Sequence, residues 1–247
     1  MGYTIFFMKY VGVDGCKIGW FYTAIDHNTH WTIGTVHSIE KLWQVHNHAT
    51  LILIDIPIGL PFKGPRACDV KARKLLGPKK SSSVFPPPCR EALSAKTYEE
   101  ACEINKKILG KKISLQAYHI SKKIKEVDDF LINNPRTRQI IRETHPEICF
   151  WVLAGGRPMQ FSKQDKAGYQ ERLGLLTRVF PLTESIVNAA LKRYKHKELA
   201  KDDILDSIAV AVVASSRDNS LMSIPDTPEK DAMRLPMEIV YCKKSTY

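Results

Sequence analysis

Hydrophobic positions recur along this chain at two spacings, and the switches between them mark out its elements. Residues 9–14 alternate around Val11 and Val13, 20–25 run Trp-Phe-Tyr-Thr-Ala-Ile, and 30–36 alternate again, so three strands are predicted at the start. His27-Asn-Thr29 supplies the turn between the second and third, and Gly15 and Gly19 the reversal between the first and second. Ser38 precedes a 3.6-residue period over 39–46 and is expected to cap that helix. Residues 51–56 are apolar without interruption, which predicts a central strand covered on both faces and stopped by Pro57 and Gly59. Helical periods follow at 65–76, 97–109 and 114–132, the last with a stripe of Ala117, Ile120, Ile124, Val127 and Leu131. The three prolines at 86–88 force a loop over 81–88. Beyond them come a strand at 138–143, helices at 146–154, 164–180, 183–195 and 201–214, and a last strand at 237–242.

This alternation of strands and helices in 247 residues predicts one α/β domain. Its core spans about 8–61 and 138–247, and residues 62–137 form a helical insertion. No apolar run approaches the roughly 20 residues that cross a bilayer. The first seven residues are expected to be a dispensable extension and not a signal peptide, because they lack a basic leader and a small-residue cleavage site. The six cysteines form no C-x-x-C pair, so reduced thiols in a cytoplasmic protein are expected. A zinc site from Cys68, Cys89 and His119 is conceivable, yet no ligand spacing asks for one.

Charge alters the picture because it is unevenly placed. Residues 63–125 hold 16 Lys and Arg against 5 Asp and Glu, while the rest of the chain balances at 21 of each. The whole excess of +11 therefore sits in residues 63–125, which points to a polyanion, nucleic acid first, as partner. Lys122, Lys123 and Lys125 lie off the apolar stripe and are expected on its outer face. An oligomer remains open.

The acids carry the chemistry. Asp14 ends the first strand, Asp55 the central one and Glu143 a later one, while Asp203 and Asp206 share a helix face. Each has a bland reading: Asp14 as a turn cap, Asp55 as a turn residue before proline, Asp203 as a first-turn acid favoured by the helix dipole. Together they imply a shared cation, since converging carboxylates raise one another's pKa unless one binds among them. All-oxygen ligands select Mg²⁺ or Mn²⁺, with two ions expected, and Asp14, Asp55, Asp203 and Asp206 as ligands. Glu143 is a fifth catalytic candidate. Glu147 competes with it from a helix's first turn, and His145 is a candidate proton shuttle.

The motifs VGVDGCKIGW from Val11, IDIPIGLP from Ile54 and RACDVKARKLLG from Arg66 resemble those of a known family. So do SVFPPPCR from Ser83, ETHPEICF from Glu143 and DDILDSIAVA from Asp202. That family groups predicted RNase H-like nucleases catalogued as a domain of unknown function (family 429), and the likeness covers residues 9–214. Asp203-x-x-Asp206-Ser-Ile-Ala also resembles the last helix of Holliday-junction resolvases, whose D-x-x-D-A-L-A run supplies two metal ligands. The resemblance implies an RNase H-like mixed sheet flanked by helices and a metal-dependent nuclease. Ile18 and Ser207 depart from the family pattern without touching a carboxylate. Arg66, Arg73 and Arg90 fall within the shared motifs and suit bidentate phosphate contacts, although Asp69 and Arg73 are spaced to pair with each other. Lys166, Gly168 and Arg172 are weaker candidates.

Two other functions compete. A phosphotransferase of the sugar-kinase and actin type would use Asp14-Gly15 and Gly155-Gly156 against a nucleotide, but it normally needs two such cores. A non-catalytic nucleic-acid-binding protein would keep the acidic pocket metal-free.

Overall fold

A computed structural model describes residues 8–26, 30–216 and 221–242 of the chain. The predicted turn at 27–29 and the first seven residues lie outside that range. β1 (Lys9–Cys16), β2 (Gly19–Asp26), β3 (Trp31–Val36), β4 (Leu51–Ile54) and β5 (Ile141–Glu143) form one mixed sheet in the order β3-β2-β1-β4-β5. β2 is antiparallel to both neighbours, whereas β4 runs parallel to β1 and β5 parallel to β4. The protein is therefore α/β, as its alternating pattern predicts.

Period-two alternation decides which residues meet which layer. Tyr10, Phe21, Leu51 and Leu53 face one cluster with α5 (Pro146–Leu153), α6 (Lys166–Val179), α7 (Thr183–Arg193) and α8 (Lys201–Ala214). Val11, Val13, Trp20, Ile52 and Ile54 face the other, with α1 (Ile39–His46) and α4 (Leu115–Asn133). A strand between two layers needs apolar side chains on both faces, hence the unbroken run at β4. α4 docks through Ile124, Val127 and Leu131, so the insertion covers one face of the sheet. α2 (Ala67–Leu76) and α3 (Tyr98–Leu109) complete that segment.

α8 lies unusually close to β1. A side chain at Gly12 would put its Cβ 2.2 Å from Ala211 N and 2.4 Å from Ser207 O, so only glycine permits this approach. Ser207 Oγ then donates to the Gly12 carbonyl at 3.0 Å and lies 2.9 Å from the Thr23 hydroxyl, which can donate to it, stitching helix to sheet. Gly19, at φ 131°, makes the β1–β2 turn in a region that L side chains rarely adopt.

Several predicted boundaries move. β5 begins at Ile141, because a 3₁₀ turn over Pro135–Gln139 consumes the first part of the expected strand. The last strand, β7 (Ile239–Cys242), stays out of the main sheet and pairs antiparallel with β6 (Leu221–Ile224), a strand the pattern did not predict. Lys123 is not on an outer face: its ammonium donates to the Gly19 carbonyl and sits 4.4 Å from the Trp20 ring centroid. No helix among the described residues is long and apolar enough to cross a membrane. Cys16, Cys68, Cys89, Cys102 and Cys149 are buried and in no disulfide.

Candidate active site

The parallel ladder sets two acids side by side. Val13 pairs with Ile54, and the next residue on each strand is an aspartate. Asp55 N–H donates to the Val13 carbonyl at 3.0 Å, closing the ladder directly beneath the two carboxylates. Strands spaced about 4.8 Å apart leave these side chains as near neighbours. Because Gly12 admits α8 so closely, Asp206 comes to the same place from the other layer. Asp14, Asp55 and Asp206 together line a cleft of about 500 Å³.

Electrostatics inside the cleft follow from burial that the nearby cations, Lys163 above all, offset only in part. Burial pushes the Asp14 carboxyl well above its ordinary value, and Asp55, Asp206 and Asp203 push it further. Asp55 is raised as well, first by burial and then by Glu147. Asp203 and Asp206 are each raised to about 6, again chiefly by burial. Asp14 accepts one hydrogen bond, from Gly15 N–H at 2.7 Å, so the turn-cap role is real, but it occupies one oxygen only. Asp203 sits at the edge of the cluster and accepts from Ala200 N–H at 3.1 Å, capping α8.

Glu143 lines the same cleft but is engaged in an ion pair. Its oxygens take Arg66 Nη2 at 2.7 Å, Arg66 Nη1 at 2.8 Å and Ile58 N–H at 2.6 Å. Two buried acids, Asp69 and Glu143, share this single guanidinium, and burial holds the Glu143 carboxyl up at about 7. As the expected fifth catalytic acid it is thus held in an ion pair, with Oε1 taking Arg66 Nη2 and Oε2 taking Arg66 Nη1 and the Ile58 N–H. Glu147 is the glutamate that bears on Asp55 and Asp206. It lines the cleft, is 6% exposed, pairs through Oε1 with Arg172, and leaves Oε2 with no partner among the described residues.

The substrate-binding arginines are also reassigned. Arg66 is 2% exposed and spends every donor internally, on Asp69, Glu143 and the carbonyls of Ile58 and Gly59. A phosphate finds no N–H there. Asp69 therefore pairs with Arg66 and not with Arg73, whose Nε donates to the Val84 carbonyl at 2.6 Å. Arg90 grips Asp128 at 2.7 and 2.9 Å and also Asp231, tying α4 to the segment before β7. His145 accepts from Glu147 N–H at Nδ1 and reaches the Ser83 carbonyl with Nε2, so both ring nitrogens are engaged and the loop, not a travelling proton, is what they serve.

Cations that patterning missed stand in for these arginines. Lys79, Lys80, Lys123 and Lys163 line the cleft around the acids. Lys80 is nearly buried, with its ammonium donating to the Phe161 carbonyl. Lys163 Nζ lies 2.8 Å from Asp206 Oδ2 and 3.4 Å from Asp202 Oδ2, and Asp206 raises its pKa above the ordinary lysine value. Only runs of Lys in the insertion hinted at Lys79, Lys80 and Lys123; nothing marks Lys163, which lies in a polar stretch without period.

No group of three or more Asp, Glu, His or Cys side chains among the described residues is placed to hold a metal ion. Mg²⁺ does not require one, since it is commonly held by one or two carboxylates, waters and substrate phosphate. Asp14, buried, and Asp55, half-buried, adjacent, in no ion pair among the described residues and open to a cleft, fit that manner of binding. A family model described as "Protein of unknown function (DUF429)" matches residues 12–230, which take in the whole sheet beyond Val11 and the acids of the cleft. No curated protein and no solved structure matches the chain.

Proposed function

The chain belongs to that family of proteins of unknown function, and we propose that it is a divalent-metal-dependent nuclease that hydrolyses nucleic-acid phosphodiester bonds. The observation that carries this reading is one cleft lined by acids, here called its floor (Asp14, Asp55 and Asp206), and by lysines, here called its rim (Lys79, Lys80 and Lys123). The rim attracts and orients a phosphate backbone, with counterion release setting the salt dependence of binding. The floor selects a hard cation, Mg²⁺ or Mn²⁺, with Asp14 and Asp55 as its protein ligands. When bound there, such an ion supplies Lewis-acid polarisation of a phosphoryl oxygen and acidifies a coordinated water.

The remaining groups have roles that follow from their contacts. Glu147 Oε2 is free to accept a hydrogen bond from an attacking water, while Arg172 fixes the other oxygen and so the carboxylate's orientation. Asp203 supports the floor from the α8 cap and adds to the field on Asp14. Arg66 acts at a distance by holding the Ile58–Gly59 backbone, which follows Asp55 and Pro57 out of β4. The order of hairpin, third strand, helix and acidic strand supports kinship with RNase H-like enzymes, and the buried thiols, in no disulfide, agree with a cytoplasmic setting.

The test is cleavage of labelled single- and double-stranded DNA and RNA with Mg²⁺ or Mn²⁺, comparing the wild type with Asp55→Asn. Wild-type cleavage that the substitution lowers by about 10³-fold or more, with an unaltered circular dichroism spectrum, is expected for a lost metal ligand. Salt-sensitive binding without cleavage under any divalent ion would replace the reading with a non-catalytic binder. Stabilisation by ATP but not by nucleic acid would favour a phosphotransferase.

A further inference from the structure

Charge compensation divides the acids of the cleft into two sets. Asp206 is matched by Lys163 Nζ at 2.8 Å, with Asp202 at 3.4 Å from the same ammonium. Glu147 is matched by the buried guanidinium of Arg172, and Asp203 takes the Ala200 N–H. Asp14 and Asp55 touch no cation among the described residues. Lys163 acts on both only from beyond ion-pair distance, and two carboxylates without an ion pair are what one divalent ion neutralises.

Lys163 is held where it is by its surroundings. It sits on the strap that joins α5 to α6, and the strap is anchored just ahead of it. The Phe161 carbonyl accepts from Arg172 Nη1 at 3.2 Å and from Lys80 Nζ. Gln160 and Phe161 N–H groups donate to the Glu171 carboxylate at 2.8–3.1 Å. Gly168 lets the strap lie against the start of α6, because a Cβ there would fall 1.8 Å from Ser162 O. Three anchors within three residues fix the backbone that presents the ammonium, which is the preorganisation that a charge-stabilising group needs.

We propose that this site takes a single divalent ion on Asp14 and Asp55, and that Lys163 Nζ, seated on Asp206, supplies the second positive charge that a two-ion site would draw from its second metal. The expected pair of ions is thereby reduced to one ion and one lysine. A second ion at Asp206 must expel an ammonium already at contact distance from two carboxylates. A lysine is suited to the substitution: it is a compact point charge with three donors, able to keep one on Asp206 and turn others toward a phosphate oxygen. The inference rests on the metal-dependent reading above, but it is tested by counting ions and not by turnover.

The experiment is a Mn²⁺ titration of the metal-free full-length protein, with free Mn²⁺ read by electron paramagnetic resonance. The expected count is one ion per chain for the wild type and for Lys163→Arg, which keeps the charge. Asp14→Asn and Asp55→Asn each weaken that binding by at least about tenfold. Lys163→Met releases Asp206 and Asp202 and raises the count to two. Should the bare Asp206 prevent Lys163→Met from folding, the double variant Lys163→Met with Asp206→Asn removes both charges and must bind one ion. Two ions in the wild type, or a count that Lys163→Met leaves at one, overturns the proposal while the nuclease reading stands. Zero ions in the wild type overturns it through its premise. Counts as expected with no cleavage of any nucleic acid uphold the ion-and-lysine site and overturn the nuclease.

Discussion

Asp14→Asn separates a functional acid from a structural one, because the two roles predict opposite changes in stability. Asparagine is isosteric and keeps Oδ1 for the Gly15 N–H, so the turn cap survives the substitution. What disappears is a negative charge at a position only 7% exposed and facing Asp55, Asp206 and Asp203. Two unit charges about 5 Å apart repel by about 3 kcal/mol at an effective dielectric constant near 20. The native protein relieves part of this by holding a proton on the cluster, which leaves a net gain of about 1–3 kcal/mol for the variant near neutral pH. At roughly 2–4 °C per kcal/mol for a chain of this size, Tm in chelator should rise by about 3–10 °C.

The pH dependence of that gain has a definite sign. Asp14 is an acid whose folded pKa is raised from 3.8, so the native state binds a proton that the unfolded state has released. That contribution is fully present below the ordinary carboxylate value and is lost as pH rises through the elevated one. The variant's advantage in scanning calorimetry should therefore widen as pH rises above about 4. Excess Mg²⁺ should reverse the order, because ligand at about 100 times its Kd adds about 2.7 kcal/mol to the wild type and far less to the variant. A variant that melts below the wild type in chelator would refute the reasoning and return Asp14 to the role of turn cap.

Two further expectations concern buried groups away from the cations of the cleft. Arg66→Met strands Asp69 and Glu143 without their guanidinium and should cost about 3–5 kcal/mol. Chemical denaturation measures this, with Arg73→Ala as the exposed control, and equal midpoints for the two variants would show that the network contributes nothing. His46 is 2% exposed, has no partner on either nitrogen among the described residues, and packs edge-on to Tyr22 with centroids 4.4 Å apart. Burial lowers its pKa from 6.5 to about 4, so its contribution is complete above 6.5 and falls away as pH drops toward 4. Wild type should lose about 3 kcal/mol relative to His46→Phe across that interval, and parallel pH profiles of the two proteins would contradict it.

Elements that carry their own periodic signal were legible in the sequence. α1 occupies the predicted 39–46 with Ser38 Oγ accepting from Lys41 N–H, and α8 occupies the predicted 201–214. Asp14, Asp55 and Asp206 were readable for the same reason, since each sits at a fixed offset within or just after a strongly patterned element. Features decided by contacts remote in sequence were not readable. Arg66 has the look of an open arginine ahead of a helix, and Glu143, 77 residues away, joins Asp69 and the Ile58 and Gly59 carbonyls in turning it inward. β6 has four residues and pairs solely with β7, so neither half of that ladder announces the other. Lys163 depends on Arg172, Glu171, Lys80 and Gly168 for its position, and none of these marks it by spacing.

The local excess of basic charge, so plain in the sequence, also changes meaning once the insertion is seen in place. A solvated basic face would leave lysines pointing away from the sheet, as exposed Lys122 does. Lys123, the next residue, instead reaches over Trp20 to the Gly19 carbonyl, at the end of the β1–β2 turn that follows Asp14. The same helix is bolted to the sheet by Ile124, Val127 and Leu131, and its Glu126 accepts from Trp20 Nε1 at 3.2 Å. The wall that would hold phosphate and the floor that would hold a cation are thus parts of one packed unit. A shift of α4 moves Trp20 and the β1–β2 turn with it, so the rim cannot adjust to a bound anion independently of Asp14. This coupling favours a ligand that engages both at once, a phosphodiester with its counter-cation, over a polyanion held on the outer surface alone.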